Sequence, residues 1–94
     1  MNQEKTGVFI AECRKQKNLT QEQLGEILGV SSKSVSRWEN GKTMPDLSMI
    51  TILAEELNVE VSELLNGRRM TKEELLEIFY KINKSKKITS KRSD

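Results

Sequence analysis

One glycine, Gly29, constrains the fold of this chain more than any other residue. Before it, Thr20 is a good helix N-cap and Gln23 occupies the capping-box position three residues later. After it, Ser31 offers the N-cap of a second helix that is predicted to end near Asn40. Because glycine adopts the left-handed conformation that a sharp reversal needs, the sequence predicts two helices joined by a turn of a few residues.

The apolar residues of these two helices indicate which side of each is buried. Leu24, Ile27 and Leu28 form a stripe at helical spacing on the first helix. The second helix is too short to be stable alone, so Val35 and Trp38 must pack against the rest of the domain. Its opposite side is then free to contact a partner.

The free side of the second helix carries short polar and cationic side chains, with no acidic residue before Glu39. Arginine and lysine donate to guanine O6 and N7, serine donates or accepts, and a helix N-terminus presents backbone N–H groups to phosphate. An ordinary solvated face is the alternative, and it is the commoner interpretation of a helix taken without context. The predicted contacts to DNA bases are Ser32, Lys33, Ser34 and Arg37.

The segment from Val35 to Thr43, Val-Ser-Arg-Trp-Glu-Asn-Gly-Lys-Thr, is followed by Pro45. It resembles the recurring pattern of the phage repressor and Cro helix-turn-helix family, often called the Xre type, over about residues 6–67. The resemblance implies an all-α fold, a compact five-helix DNA-binding domain whose third helix enters the major groove. Gly25 stands where this family usually has alanine, at a close helix crossing, and should cost about 0.5 to 1 kcal/mol relative to alanine.

The resemblance also implies roles for residues around the third helix. Arg14 is expected to pair with Glu39, so we interpret Glu39 as structural rather than as a general base or metal ligand. The backbone N–H groups of residues 41–43 are expected to meet phosphate, which sets the register on DNA without reading its sequence. The predicted phosphate contacts are Gln21, Ser36, Asn40, Lys42 and Thr43.

Three more helices complete the predicted domain. The first is expected from about Lys5 to Gln16, with Cys13 as a small buried residue. Asp46 is the predicted N-cap of the fourth helix, and Ser62 or the residue before it is the predicted cap of the fifth. The predicted apolar positions of these two helices are Leu47, Ile50, Leu53, Ala54, Leu57, Val59, Val61, Leu64 and Leu65.

The predicted DNA-binding domain spans residues 1–67, and a second unit spans residues 68–94. In that unit Thr71 caps a helix over residues 72–83, and a basic tail, residues 84–94, is expected to be disordered. The helix could pack on the domain, pair with a second copy of the chain or begin a linker to another module. Its apolar stripe, the predicted dimer contact, comprises Leu75, Leu76, Phe79, Tyr80 and Ile82.

The charge distribution is more informative than the formal net charge of +2. Residues 1–66 carry seven basic and ten acidic side chains, a charge of −3, whereas residues 67–94 carry nine and four, a charge of +5. A net acidic domain disfavours indiscriminate binding to nucleic acid. To bind DNA, it must gather Lys33, Arg37 and Lys42 on one side, and Lys5 and Lys17 could join them there.

Composition excludes several other classes of protein. A single cysteine cannot form an internal disulfide, and a chain without histidine lacks zinc-finger ligands and histidine-based catalysis. No stretch approaches the roughly 20 apolar residues of a membrane span, and we expect neither a signal peptide nor a membrane anchor. We expect a cytoplasmic protein that is not an enzyme, does not bind membranes and needs neither cofactor nor metal.

These observations predict a sequence-specific transcription regulator that binds double-stranded DNA. The expected form is a repressor that binds a near-palindromic operator as a homodimer. The competing interpretation is an antitoxin-type interaction module, in which the same fold binds DNA but residues 68–94 hold a protein partner.

Overall fold

A computed structural model describes residues 2–90, with side chains described as far as residue 83, and these residues form six α-helices. The predicted all-α fold, a five-helix domain with a C-terminal helical extension, is confirmed. The helices are α1 (Gln3–Gln16), α2 (Gln21–Leu28), α3 (Ser32–Glu39), α4 (Leu47–Leu57), α5 (Val61–Asn66) and α6 (Lys72–Ser90).

Capping hydrogen bonds begin three helices at the predicted residues. Thr20 Oγ1 accepts the backbone N–H of Gln23 at 3.0 Å, and Gln23 Oε1 accepts the N–H of Thr20 at 2.9 Å. Ser31 and Asp46 each accept the backbone N–H three residues later, which begins α3 and α4. Gly29 ends α2 at φ 76°, the left-handed conformation expected there.

Two helices begin at residues that differ from the prediction. α1 begins two residues early because the side chain of Asn2 accepts the backbone N–H of Lys5 at 2.9 Å. The N-cap of α5 is Glu60, not Ser62 or the residue before it. The carboxylate of Glu63, three residues into the helix, accepts the N–H of Glu60 at 2.8 Å and thereby fixes this start.

The end of α6 was also predicted wrongly. The helix begins after Thr71 as expected but continues to Ser90, beyond the predicted end at Asn83. Residues 84–90, predicted to be a disordered tail, contain no glycine or proline that would break a helix. The remaining residues of that tail, 91–94, lie outside the described part of the chain.

The core is formed by side chains of α1 to α5 and is mainly aliphatic, with two aromatic residues, Phe9 and Trp38. The predicted burial of Val35, Trp38 and Cys13 is confirmed, and burial raises the pKa of the Cys13 thiol. Two predicted core residues, Ile27 and Leu47, are exposed. The buried apolar side chains are Phe9, Ile10, Cys13, Leu24, Leu28, Val35, Trp38, Ile50, Leu53, Ala54, Leu57 and Leu64.

Both errors have the same geometric cause. Ile27 is about 100° of helical rotation away from Leu28, and α2 buries only the narrower side that holds Leu24 and Leu28. Leu47 is the first residue of α4, next to the cap, and the buried side of that helix begins at Ile50. An apolar side chain at the edge of a stripe therefore need not be part of the core.

Two helical glycines lie where backbone meets backbone. A Cβ on Gly25 would lie 2.6 Å from the carbonyl oxygen of Val30, so alanine there would require the backbone to move. The usual helical advantage of alanine over glycine is therefore offset at this crossing. A Cβ on Gly7, in α1, would likewise clash with the carbonyl oxygen of Trp38.

Candidate nucleic-acid interface

The third helix presents its polar side outward because its apolar side is held in the core. Val35 and Trp38 are buried, whereas Ser32, Lys33 and Arg37 are exposed. α3 thus places cationic groups near both of its ends on the accessible side. A helix of this diameter fits the major groove of B-DNA, where side chains can reach the edges of the bases.

Ser34 and Ser36 are half-buried and accept hydrogen bonds from neighbouring residues. Ser31 Oγ donates to Ser34 Oγ at 3.2 Å, and Asn40 Nδ2 is 3.2 Å from Ser36 Oγ. A serine hydroxyl that accepts one bond still has its own proton to donate. Both serines can therefore donate outward to a base acceptor or a phosphate oxygen.

The side-chain amide of Asn40, predicted to contact phosphate, is hydrogen-bonded within the protein. Its Nδ2 donates to the carbonyl oxygen of Ser36 at 2.9 Å as well as to the hydroxyl of that residue. Phosphate oxygens only accept hydrogen bonds, so the Asn40 amide would have to release Ser36 to contact one. Here it closes the last turn of α3.

The loop after α3 corrects one expectation about phosphate binding. The backbone N–H groups of Gly41 and Lys42 donate to the carbonyl oxygens of Trp38 and Arg37, at 3.1 and 2.8 Å. The N–H of Thr43 points to the Arg37 carbonyl at 3.4 Å. The last carbonyls of a helix have no partner within it, and this loop folds back over them. Its N–H groups are therefore engaged inside the protein, and only its side chains are available.

A buried ion pair connects the first and third helices. Arg14 Nε donates to Glu39 Oε2 at 2.6 Å, and Arg14 Nη2 donates to Glu39 Oε1 at 2.9 Å. Arg14 Nη1 donates to the carbonyl oxygen of Leu19 at 2.7 Å, ahead of α2. The hydrogen bond to Glu39 raises the pKa of Arg14, so the guanidinium stays charged. The structure thus brings together the two residues that were expected to pair.

Gln21, predicted to contact phosphate, is the third member of this network. Its Nε2 donates to Glu39 Oε1 at 2.9 Å, and its side chain is half-buried. As the first residue of α2, it has a backbone N–H without a partner inside the helix. A phosphate contact can therefore come from this N–H while the side chain holds Glu39.

Two residues of α1 support the interface and were missed by the sequence analysis. Gln3 Nε2 donates to the carbonyl oxygen of Gly41 at 2.6 Å and so fixes the loop after α3. Gly7 lets α1 lie directly against the end of α3, at Trp38 and Glu39. Both contacts join residues more than 30 positions apart, for which the local sequence carries no signal.

The predicted dimer contact lies on α6. Leu76, Phe79, Tyr80 and Ile82 are exposed, and Leu75 is half-buried. None of the five is among the side chains that form the core or pack against it.

In the described residues, no cluster of His, Cys, Asp or Glu is arranged to hold a metal ion. Nor is any described helix both long and apolar enough to cross a membrane.

Known families and proteins are similar to this chain over its helix-turn-helix domain. A family model described as helix-turn-helix matches residues 10–64. Over 61 residues the chain is 40% identical to the HTH-type transcriptional activator BcrR of Enterococcus faecalis, a match covering 65% of this chain and 30% of that protein. It is 33% identical over 64 residues to the antitoxin PezA of Streptococcus pneumoniae, covering 68% of this chain and 40% of the antitoxin. The chain thus spans less than half the length of these relatives.

A solved structure shows the same fold. The P22 c2 repressor protein, in a crystal structure with synthetic operator 9T, superposes on this chain with a TM-score of 0.64 and 32% sequence identity. The match covers 66% of this chain and 94% of that chain.

Proposed function

Because the chain belongs to the helix-turn-helix family, we propose that it is a transcription regulator that binds double-stranded DNA and reads an operator with α3. The observation that carries this proposal is the division of α3 into two sides. Val35 and Trp38 fix the helix in the core, and the opposite side exposes Lys33 and Arg37. The one acidic residue of α3, Glu39, is neutralised by Arg14.

The proposed contacts divide into those that read bases and those that position the protein. Base contacts come from the accessible side of α3, where arginine and lysine can donate to guanine and serine can donate to an acceptor. Phosphate contacts flank α3 and set its depth and register. The proposed base contacts are Ser32, Lys33, Ser34 and Arg37. The proposed phosphate contacts are Gln21 through its backbone N–H, Asn40 once its amide releases Ser36, and the side chains of Ser36, Lys42 and Thr43.

Regulation follows from occupancy of the operator. A bound protein excludes other proteins from the same DNA, so repression requires nothing beyond tight and specific binding. One recognition helix covers only a few base pairs, and a symmetric dimer places two of them about one turn of DNA, roughly 34 Å, apart. We therefore propose a repressor that binds a near-palindromic site as a homodimer.

Arg37 and Lys42 form a matched pair for testing this assignment. Binding sites selected from a pool of random duplexes would first define the preferred operator. On that operator, Arg37→Ala should cost roughly 1 to 3 kcal/mol and relax the preference at one base pair. Lys42→Ala should weaken binding to all duplexes by about the same factor and reduce the slope of log K against log salt by about one.

Fluorescence anisotropy on the selected operator and on a scrambled duplex, over a range of salt concentrations, measures both effects. Lys15→Ala serves as the control because Lys15 is an exposed cation on α1 outside the proposed interface. If Arg37→Ala and Lys42→Ala weaken the operator and the scrambled duplex equally, α3 does not read bases through Arg37.

An antitoxin-type function is the second candidate, and two observations favour it. The chain resembles the antitoxin PezA, and the apolar side of α6 is exposed and suited to a protein partner. In that case a second protein would co-purify with the full chain in a fixed ratio. Substitution of Phe79 by glutamate would release that protein without affecting binding to a half-site.

A further inference from the structure

The apolar side of α6 is uncovered within residues 2–83. Phe79 and Tyr80 are 63% and 64% exposed, and Leu76 and Ile82 are also exposed. An aromatic side chain can bury about 150–250 Å², so these two rings alone leave on the order of 200–300 Å² of apolar surface in water. With the two aliphatic side chains added, this surface reaches the size of the largest apolar patch on a typical monomer, which is often functional.

Four apolar residues of α6 are arranged symmetrically along the helix, and Leu76 and Tyr80 lie at the edge of this set, about 100° or more round the helix from Leu75. The four are Leu75, Ile78, Phe79 and Ile82, at spacings of three, one and three residues. Positions three, four and seven residues apart lie on one side of a helix. Their midpoint lies between Ile78 and Phe79. Reversing the direction of the helix about this point places each apolar position opposite another apolar position.

The charges of α6 change sign at the same midpoint. Before this midpoint the helix holds Lys72 and three acidic residues, Glu73, Glu74 and Glu77, and after it every charged residue is a lysine, beginning with Lys81. The sequence continues with lysine at 84, 86 and 87. In a parallel pair, each half would face a half of the same sign. Glu74 and Lys81, seven residues apart, flank the same edge of the apolar side, so an antiparallel pair brings Glu74 of each copy near Lys81 of the other.

We propose that α6 pairs with α6 of a second copy of this chain in antiparallel orientation, about a two-fold axis between Ile78 and Phe79. Leu75 of each copy then contacts Ile82 of the other, and Ile78 contacts Phe79. An isologous contact of this kind is self-complementary and closes at two copies. The inference rests on the proposed function only in that it names the partner that brings a second α3 to the operator.

Contacts in the linker, residues 68–71, tie the start of α6 to the DNA-binding domain. Arg69 Nη2 donates to Gln16 Oε1 at 2.6 Å, and the same guanidinium lies over the ring of Phe9, 5.8 Å from its centroid. The backbone N–H of Met70 donates to Glu63 Oε2 at 2.8 Å. The linker is thereby tied to both α1 and α5. Pairing through α6 therefore holds two DNA-binding domains together.

Sedimentation of the full chain tests whether this surface joins two copies. Phe79→Glu places a charge in the apolar layer and should raise the dimer dissociation constant by about tenfold or more. Val8→Glu is the matched control, because Val8 on α1 is also an exposed apolar residue, 56% accessible. It should leave the dissociation constant unchanged. The proposal is overturned if the full chain is a monomer at high micromolar concentration, or if Val8→Glu dissociates the dimer as much as Phe79→Glu.

Single cysteines test the orientation of the pair. In a Cys13→Ala background, Leu75→Cys and Ile82→Cys should each fail to form a disulfide alone and should crosslink when mixed. In the antiparallel pair the two copies of position 75 are about 10 Å apart along the helix axis, beyond the Cα separation of about 4.4–6.8 Å that a disulfide spans. Self-crosslinking of each variant alone would show a parallel pair and would refute the proposal.

Binding to DNA distinguishes failure of this inference from failure of the proposed function. Phe79→Glu should bind a single half-site as well as the unaltered chain and should lose the advantage of the full palindrome. If the unaltered chain is monomeric yet prefers its selected half-site over scrambled DNA, α6 pairing is refuted and DNA recognition by α3 stands. If the chain dimerises but shows no sequence preference, pairing stands and the proposed function fails.

Discussion

Two arginine–glutamate pairs of nearly equal length lie in very different surroundings. Arg14 Nε is 2.6 Å from Glu39 Oε2, and Arg68 Nη2 is 2.7 Å from Glu74 Oε2. The side chains of the first pair are 11% and 6% exposed, whereas those of the second are 55% and 36% exposed. Distance alone therefore does not show which pair stabilises the fold.

Burial makes the difference between the two pairs. When Arg14 or Glu39 is removed, water cannot fully solvate the charge that remains. Loss of Arg14 also removes the hydrogen-bond donor of the Leu19 carbonyl, and loss of Glu39 removes the acceptor of the Gln21 amide. When Arg68 or Glu74 is removed, the charge of the other side chain is solvated by water because it lies at the surface. The interior pair, Arg14 and Glu39, thus joins α1, α2 and α3 around the proposed interface. The outer pair, Arg68 and Glu74, only supports the start of α6.

Breaking the interior pair should give the largest effect. Arg14→Ala and Glu39→Ala should each lower the free energy of unfolding by about 3 kcal/mol or more, because each leaves an uncompensated charge in a buried site. Urea unfolding of both single variants and the double variant gives the coupling free energy between the two side chains. Lys15→Ala, next to Arg14 but exposed, should change stability by less than about 0.5 kcal/mol.

A coupling free energy near zero would show that Arg14 and Glu39 stabilise the domain separately. DNA binding by these variants should fall only in proportion to the unfolded fraction. A larger loss of affinity in the folded protein would instead assign the pair a direct part in recognition.

An intermediate effect is expected from the glycine that lets α1 approach the end of α3. Gly7→Ala should lower the free energy of unfolding by about 1 to 3 kcal/mol, because the added methyl group would clash with backbone oxygens of Trp38 and Glu39. The gain in helix propensity, roughly 1 kcal/mol, opposes this loss. Val8→Ala, at the next and exposed position, is the control, and urea unfolding measures both. A Gly7→Ala chain more stable than the parent would contradict the close approach.

The outer pair should give the smallest effect, visible mainly in its titration. Hydrogen bonds from Arg68 and then from the backbone N–H of Thr71 lower the pKa of Glu74 from 4.5 to about 2. Because this pKa is lower in the folded chain, the contribution of Glu74 to stability is complete above about pH 4.5 and is lost as the pH falls through about 2. NMR titration of the Glu74 carboxyl should show a midpoint that moves toward 4.5 in Arg68→Ala. Unfolding by urea at neutral pH should be nearly the same for Arg68→Ala and the parent. A large loss of stability in that variant would mean that burial is not what separates the two pairs.

Some features of the fold were predictable because they depend on neighbours along the chain. A capping hydrogen bond spans three residues, so Thr20, Ser31 and Asp46 were recognisable as helix starts without any tertiary information. Gly29 was recognisable as a helix end because glycine, which has no side chain, readily adopts the left-handed conformation found there. The start of α5 was missed because glutamate is not a common cap, and the hydrogen bond there runs from the backbone N–H of Glu60 to the carboxylate of Glu63.

The candidate interface was predictable only in outline. The polar side of α3 follows from the positions of Val35 and Trp38, which must be buried for so short a helix to be stable. Which hydrogen-bond donors around α3 are engaged inside the protein could not be predicted from the sequence. The side chain of Gln21 is turned toward Glu39, and the N–H groups after α3 are engaged by its own last turn.

The sequence by itself determined that the chain forms these helices, the caps at Thr20, Ser31 and Asp46, and the polar side of α3, since each depends on residues within a turn or two of one another. Only the tertiary structure decided which edge of each apolar stripe is covered, as the exposure of Ile27 and Leu47 shows. It also decided that Gly7 and Gly25 lie against backbone, and that one Arg–Glu pair is buried and the other is not. The physical reason is that burial depends on the packing of helices distant in sequence, and pairwise spacing along the chain contains no measure of it.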